Sequence, residues 1–360
     1  MKYTGEYRDS RLARKIIGQI EAISHQEIRL MEVCGTHTVS IFRNGIRTVL
    51  PDNISLISGP GCPVCVTDQQ EIDAAITLAG RENTIIATFG DLIRVPGSAS
   101  SLQQEQNAGN DIRIVYSTFD ALDIARQNPD KNVIFPGIGF ETTAPTIAAA
   151  VMAGRREGLD NFYVYAAHKL MPPALEALLN REEINLDGFL LPGHVSVIIG
   201  LKAYRPFFDK YNIPCVITGF EPVDILEAVF RLTEMINTGS PRLENCYPRA
   251  VTEEGNLEAK KIMEAVFEPC EAAWRGIGRI PDSGLRFKKE YESFDAGAHF
   301  EVETPAVPPP RGCACGDILT GKLTPPQCPL YKKTCTPLNP VGPCMVSTEG
   351  TCAAYYKYQD

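Results

Sequence analysis

Between about residue 50 and residue 220, short apolar runs rich in β-branched residues alternate with stretches of helical periodicity. The runs are Ile54 to Ile57, Thr84 to Phe89, Arg113 to Tyr116, Asn132 to Phe135, Phe162 to Ala166, Gly188 to Leu191 and Cys215 to Thr218, and most end in glycine or proline. Strands that alternate with helices build parallel sheet from βαβ units, so the fold class is α/β. In open sheets of this kind ligands bind beyond the carboxyl ends of the strands. Chemistry is therefore sought in the residues that follow each run.

The segment after the first run, SGPGCPVCVTDQQEIDAAITLAG, can be parsed locally. Thr67 with Gln70 gives a capping-box signature, Ile72, Ala75, Ile76 and Ala79 give one apolar helix face, and Gly80 gives a stop. Cys62 and Cys65 then fall just ahead of a helix N-terminus, where free N–H groups favour thiolate. Farther along, Gly139-Phe140-Glu141 and Gly219-Phe220-Glu221 each follow a strand and open a helix. This echo suggests two similar parallel-sheet domains, over 51–130 and 131–240. Residues 1–50 read as a helical segment packing with the C-terminal domain. From 241 to 360, after a helix over Leu257 to Phe267, glycine and proline dominate, with a stiff connector, TPAVPPPRG, at 304–312. That last region reads as a loop-rich domain with little core of its own, which needs a staple.

The charged N-terminal stretch MKYTGEYRDSRLARKIIGQIEAI has no uninterrupted apolar core, so neither a secretory signal nor a membrane anchor is expected, and the expected location is the cytoplasm. A net charge of -9 offers no basic footprint for nucleic acid. In a reducing compartment, twelve cysteines point to metal binding or catalysis rather than a disulfide framework. Cys215, Cys246 and Cys270 are scattered and read as structural. Six others crowd between Cys313 and Cys352.

Thiolates converging from glycine- and proline-rich loops suit an iron–sulfur cluster. Four cysteines make a [4Fe-4S] site, and the spacing C-x14-C-x6-C-x16-C selects Cys313, Cys328, Cys335 and Cys352. Cys315 and Cys344 are left as a dithiol beside it, although Cys313 and Cys315, or Cys344 and Cys352, are interchangeable on sequence alone. Zinc is the rival occupant, but its paired C-x2-4-C knuckles are absent. At the other end of the chain, MEVCGTHT presents Cys34 and His37, both donors able to bind iron. Cys62-Pro63-Val64-Cys65 has the spacing of a redox dithiol. Glu141, His168 and His194 fall at strand ends as further site candidates. The turns GPG and FPGIGF match neither G-x-G-x-x-G nor a P-loop, so no nucleotide site is expected.

MEVCGTHT, SGPGCPVCVT, GIGFETTAPT, LLPGHVSVIIG, ITGFEPVDIL and the terminal CPLYKKTCTPLNPVGPCMVSTEGTCAAYYKY together closely resemble the hydrogenase maturation factor HypD family, over nearly the whole chain. The resemblance implies a scaffold on which the Fe(CN)2CO unit of nickel–iron hydrogenase is assembled. The small chaperone HypC would share the iron, and cyanide would arrive through HypE. It implies that Cys34 binds this iron with His37 as its neighbour, that Cys62 and Cys65 are a redox pair, and that the C-terminal cysteines hold the cluster. Two similar α/β domains plus a cluster domain are the fold it implies. The competing readings are a stand-alone cluster-dependent thiol–disulfide oxidoreductase, which needs neither Cys34 nor a partner, and a zinc-stabilised binding module.

Overall fold

The computed structural model describes residues 5–181, 185–303, 307–308 and 310–359. The connector expected at 304–312 thus falls partly outside the described residues. Among the described residues, eleven strands form three sheets. They are β1 Ile28–Glu32, β2 Ile54–Ser58, β3 Thr84–Thr88, β4 Asp111–Ile114, β5 Asn132–Gly139, β6 Phe162–His168, β7 Gly188–Pro192, β8 Cys215–Thr218, β9 Leu243–Asn245, β10 Phe267–Trp274 and β11 Gly278–Phe287.

A five-stranded parallel sheet has the order β2-β1-β7-β8-β9, and a four-stranded parallel sheet the order β4-β3-β5-β6. Both follow one topology, in which the second strand flanks the first and the third returns on its other side. The order reverses between β1 and β7 in one sheet and between β3 and β5 in the other, and such switch points open the crevice that binds ligands. The two sheets are thus similarly built, as the echo suggested. The GFE match itself is out of register, because Gly139-Phe140-Glu141 follows the third strand of its sheet and Gly219-Phe220-Glu221 the fourth.

The sheets divide the chain differently from the expected 51–130 and 131–240. Strands β3 to β6 form one sheet, and this stretch is inserted between β2 and β7 of the other. A boundary at 130 would cut the four-stranded sheet between β4 and β5. Residues 1–50 are not wholly helical either: β1 lies inside the five-stranded sheet, paired on both sides. Its five residues carry Arg29 and Glu32, which hid the apolar pattern. Phe42 of this segment meets Tyr355 at 4.5 Å between ring centroids, and the helix Gly35–Arg43 lies on the C-terminal helix Thr351–Tyr358.

Strands buried on both faces explain why the runs read as nearly continuous apolar sequence. In β7 every residue is buried, Leu190 joining a core with Ile28, Leu30 and the helix Pro222–Thr238. Phe189 and Leu191 join a second core shared with Ile134, Trp274 and the C-terminal cysteines. Each such side chain contributes about 1.5–3 kcal/mol relative to exposure. The antiparallel pair β10–β11 was not expected, because glycine, proline and charge interrupt its apolar positions. Its buried residues Phe267, Leu285 and Phe287 close the outer core of the four-stranded sheet. Two smaller corrections are local. The helix Gln69–Ala79 is capped by Asp68 with Glu71 reaching back, one residue beyond the Thr67 and Gln70 expected. Strand β4 begins at Asp111, and Tyr116 lies outside it at 93% exposed.

Candidate functional site

Cys34 follows β1 at the switch point of the five-stranded sheet and caps the helix Gly35–Arg43. Burial, with the Glu349 carboxylate nearby, pushes its thiol up to about 12, although the N–H groups of His37 and Thr36 pull the other way. The thiol is neutral at pH 7. A metal that binds it must displace the proton.

The Cys62 loop is pressed directly against Cys34. A Cβ on Gly61 would stand 2.2 Å from the Cys34 nitrogen, so only glycine fits. Cys62 caps the short helical turn Pro63–Val66 and is disulfide-bonded to Cys65. Cys62 and Cys65 thus lie just ahead of the longer helix Gln69–Ala79, where the sequence places them, and the turn that holds them is itself a short helical one. A third segment closes on the same place, where Thr36 donates to Glu349 from the cysteine-rich C-terminus.

His37 is fully buried, and burial pushes it down to about 4, so it is neutral. Its Nε2 lies 3.0 Å from the Gly219 carbonyl oxygen and 3.3 Å from that of Thr218. Those acceptors require the proton on Nε2, which leaves a lone pair on Nδ1, and Nδ1 has no partner among the described residues. His194, after β7, stacks on Phe220 at 4.0 Å, and His37 meets the same ring at 4.8 Å. The two histidines therefore flank one phenyl ring at the ends of β7 and β8.

Glu141 lies at the corresponding switch point of the other sheet. One carboxylate oxygen accepts from the Met171 N–H at 2.8 Å, the other is buried without a partner among the described residues, and burial raises the group to about 7. Glu141 and Cys34 both act electrostatically on the buried Tyr204 hydroxyl, which hydrogen-bonds Ser196 at 3.1 Å. His168 is not drawn in. Its ring packs on Phe267, both nitrogens lack hydrogen-bond partners among the described residues, and burial lowers it to about 3.

All six C-terminal cysteines, Cys313, Cys315, Cys328, Cys335, Cys344 and Cys352, line one small cavity with Ile318, Leu330, Tyr331 and Met345. The sulfurs of Cys315 and Cys344, the two that the spacing left over, are 2.8 Å apart. The Val341 N–H donates to Cys335 Sγ at 3.3 Å. Burial raises the Cys352 thiol, and Cys315, Cys313, Cys335 and Cys328 all add to the effect. Among the described residues no three His, Cys, Asp or Glu side chains are grouped as ligands of a single metal ion. A donor set of thiols around an apolar cavity, with an N–H aimed at one sulfur, fits an iron–sulfur cluster. Cys215 is buried, Cys246 and Cys270 are half-buried, and none of the three joins this group.

Several residues at these sites were not singled out from sequence. Glu32, at the end of β1, is buried, accepts from Ser58 and Thr38, and pairs with Arg47 at 3.4 Å. Arg47 in turn donates to the Tyr355 hydroxyl at 2.8 Å, tying β1 to the C-terminal helix. Glu32 stands inside the MEVCGTHT motif, and a carboxylate at the buried end of a strand was the available signal. Glu349, Tyr204 and Arg275 had none.

No helix among the described residues is long and apolar enough to cross a membrane. The family model described as HypD, hydrogenase formation hypA family, matches residues 11–359. A putative hydrogenase expression/formation protein of Methanocaldococcus jannaschii is 45% identical over 353 residues, covering 98% of each chain. The hydrogenase maturation factors HypD of Rhodobacter capsulatus and Escherichia coli are 44% and 41% identical, covering 99% and 100% of this chain and 98% of their own. On this breadth of agreement, the chain belongs to the HypD family of hydrogenase maturation factors.

Proposed function

We propose that this chain is the cytoplasmic scaffold on which the Fe(CN)2CO unit of nickel–iron hydrogenase is assembled, together with HypC and with cyanide delivered through HypE. The observation that carries this reading is the convergence of three cysteine groups far apart in sequence. Cys34 sits at a sheet switch point, the Cys62 loop touches its backbone through Gly61, and Glu349 of the C-terminal segment binds Thr36 beside it.

The substrate iron is held by Cys34, with a thiolate of HypC as its second sulfur ligand. Soft thiolates suit an iron that takes up cyanide and carbon monoxide. The lone pair on His37 Nδ1 has no partner among the described residues, so His37 is free to bind the iron or to accept a hydrogen bond beside it. His194 holds Phe220 against His37 and keeps its ring in place. Glu141 titrates near neutrality and serves as a proton store at the neighbouring switch point.

Cys313, Cys328, Cys335 and Cys352 hold a [4Fe-4S] cluster, which supplies electrons singly when bound. The turn Pro343–Val346, which carries Cys344, packs on the turn Pro63–Val66, which carries Cys65. Two thiols, Cys315 and Cys344, can thus reduce the Cys62–Cys65 disulfide by exchange. Two electrons and two protons pass, and a Cys315–Cys344 disulfide forms as a Cys62 and Cys65 dithiol is released.

The test is infrared spectroscopy of the complex with HypC. Cys34→Ala abolishes the bands of iron-bound cyanide and carbon monoxide while the cluster absorbance survives. Bands that persist in this variant remove Cys34 as the iron ligand.

A further inference from the structure

The tip of the β10–β11 hairpin touches both dithiol-bearing segments. Thr67, two residues after Cys65, forms an antiparallel bridge with Trp274, and the Arg275 N–H donates to the Val66 carbonyl at 2.8 Å. The Arg275 side chain continues the contact, Nε donating to the Thr67 carbonyl at 2.9 Å and Nη1 to Gln69 Oε1 at 3.0 Å. On its other side the tip meets the cysteine-rich segment. Gly276, at φ +75°, would place a Cβ 2.2 Å from the Gly316 Cα, next to Cys315. Arg275 itself lines a cavity with Cys313, Cys315, Gly316 and Gly342.

Arg275 is 5% exposed, and its Nη2 is buried with no hydrogen-bond partner among the described residues. Leaving a donor of a buried cation unmatched is costly. Both acceptors of the side chain, the Thr67 carbonyl and Gln69 Oε1, are uncharged. The electrostatic influence of Arg275 falls on Cys313, Cys315 and Cys344 together. Thiol–disulfide exchange passes through a state in which negative charge is spread over the attacking, central and leaving sulfurs. A fixed cation facing that charge lowers the barrier in a site closed to water.

We propose that Arg275 is a positioning residue for electron transfer between the two dithiols: it anchors the Cys62–Cys65 turn against Cys315 and Cys344 and offsets the charge that develops during exchange. The exchange is the one balanced above, and Arg275 neither gains nor loses electrons in it. This inference rests on the proposed relay, and the experiment separates the two.

Full-length protein, purified anaerobically with its metal and with Cys62–Cys65 oxidised, is mixed with dithionite, quenched in acid and alkylated. Appearance of free Cys62 and Cys65 is then followed by peptide mass spectrometry. Arg275→Gln, which keeps amide donors and loses the charge, is expected to slow their appearance 10- to 100-fold. Arg275→Met does the same and serves as a second neutral variant. Arg275→Lys keeps the rate within about threefold of the unaltered protein. A rate within twofold in the neutral variants overturns the inference, and so does a lysine variant as slow as glutamine, since Arg275 would then be a structural tether only. Cys344→Ser tests the relay itself. If it leaves the rate unchanged, the relay and the inference both fall; if it abolishes reduction while Arg275→Gln does not slow it, only the inference falls.

Discussion

The two thiol-bearing regions are built on opposite principles. Cys34, His37 and His194 sit at the ends of strands whose side chains are buried on both faces, so their positions are inherited from a sheet that needs no ligand to fold. The six C-terminal cysteines are carried by turns and by helices such as Cys315–Leu319 and Pro343–Val346, of five and four residues. Helices that short have no stability of their own. The apolar neighbours of these thiols, Ile318, Leu319 and Met345, belong to the core shared with the two sheets. One region can thus be preformed before the proposed iron arrives, whereas the other would depend on what its thiols hold. A scaffold that loads and releases a substrate needs the first kind of site, and a permanent electron store can tolerate the second.

Removing the proposed cluster should separate the two regions most visibly. Oxidation and chelation of iron in the anaerobic protein should open residues 313–352, because a metal site formed on folding contributes its binding energy to the fold. Amide hydrogen exchange should show at least a hundredfold loss of protection there, while β1, β7 and β8 keep theirs. Equal loss in both regions would mean that the sheets also lean on the cluster. No loss in either would mean that the C-terminal segment folds on apolar contacts alone.

That asymmetry also governs how much could be read from sequence. The seven apolar runs correspond to β2 through β8, because strands buried on both faces leave an unbroken apolar signature. Strand β1 was missed since Arg29 and Glu32 interrupt it, and the buried Glu32 is accommodated only through tertiary partners, Ser58, Thr38 and Arg47. The β10–β11 hairpin was missed for a different reason. Its positions face a sheet on one side and solvent on the other, and residues such as Glu268, Glu271 and Arg279 pair across the exposed face. The cysteines and histidines of the candidate sites were legible from residue chemistry and spacing. Arg275, Glu349 and Tyr204 were not, because their roles come from tertiary contacts with partners far away in the chain.

Gly61→Ala sharpens the claim that the Cys34 site is set by backbone contact. The added Cβ would meet the nitrogen, Cα and carbonyl carbon of Cys34 at 2.2 to 2.6 Å, and a backbone held in the β1 strand end has nowhere to move. Overpacking of this kind costs about 3 kcal/mol. The expected result is a melting temperature lowered by several degrees, together with loss of the infrared bands of loaded iron, while the cluster absorbance is retained. A variant as stable as the parent would show that the two cysteine loops can separate freely.

The smallest effect concerns Glu141, and it is a matter of pH. Its ordinary carboxyl value is 4.5, and in the folded chain burial raises it to about 7. Between those values the folded state keeps a proton that the unfolded state has released, so stability falls as pH rises through this window. Below pH 4.5 both states are protonated and the group contributes nothing. Between pH 5.5 and 8 the loss amounts to about 2 kcal/mol. Glu141→Gln keeps an oxygen for the Met171 N–H and cannot ionise, so the variant should lack this part of the slope and be the more stable protein at pH 8. Denaturant unfolding of both proteins at the two pH values measures it. Parallel pH profiles would mean that the second carboxylate oxygen is satisfied in solution, and the switch point of the four-stranded sheet would then hold no proton in reserve.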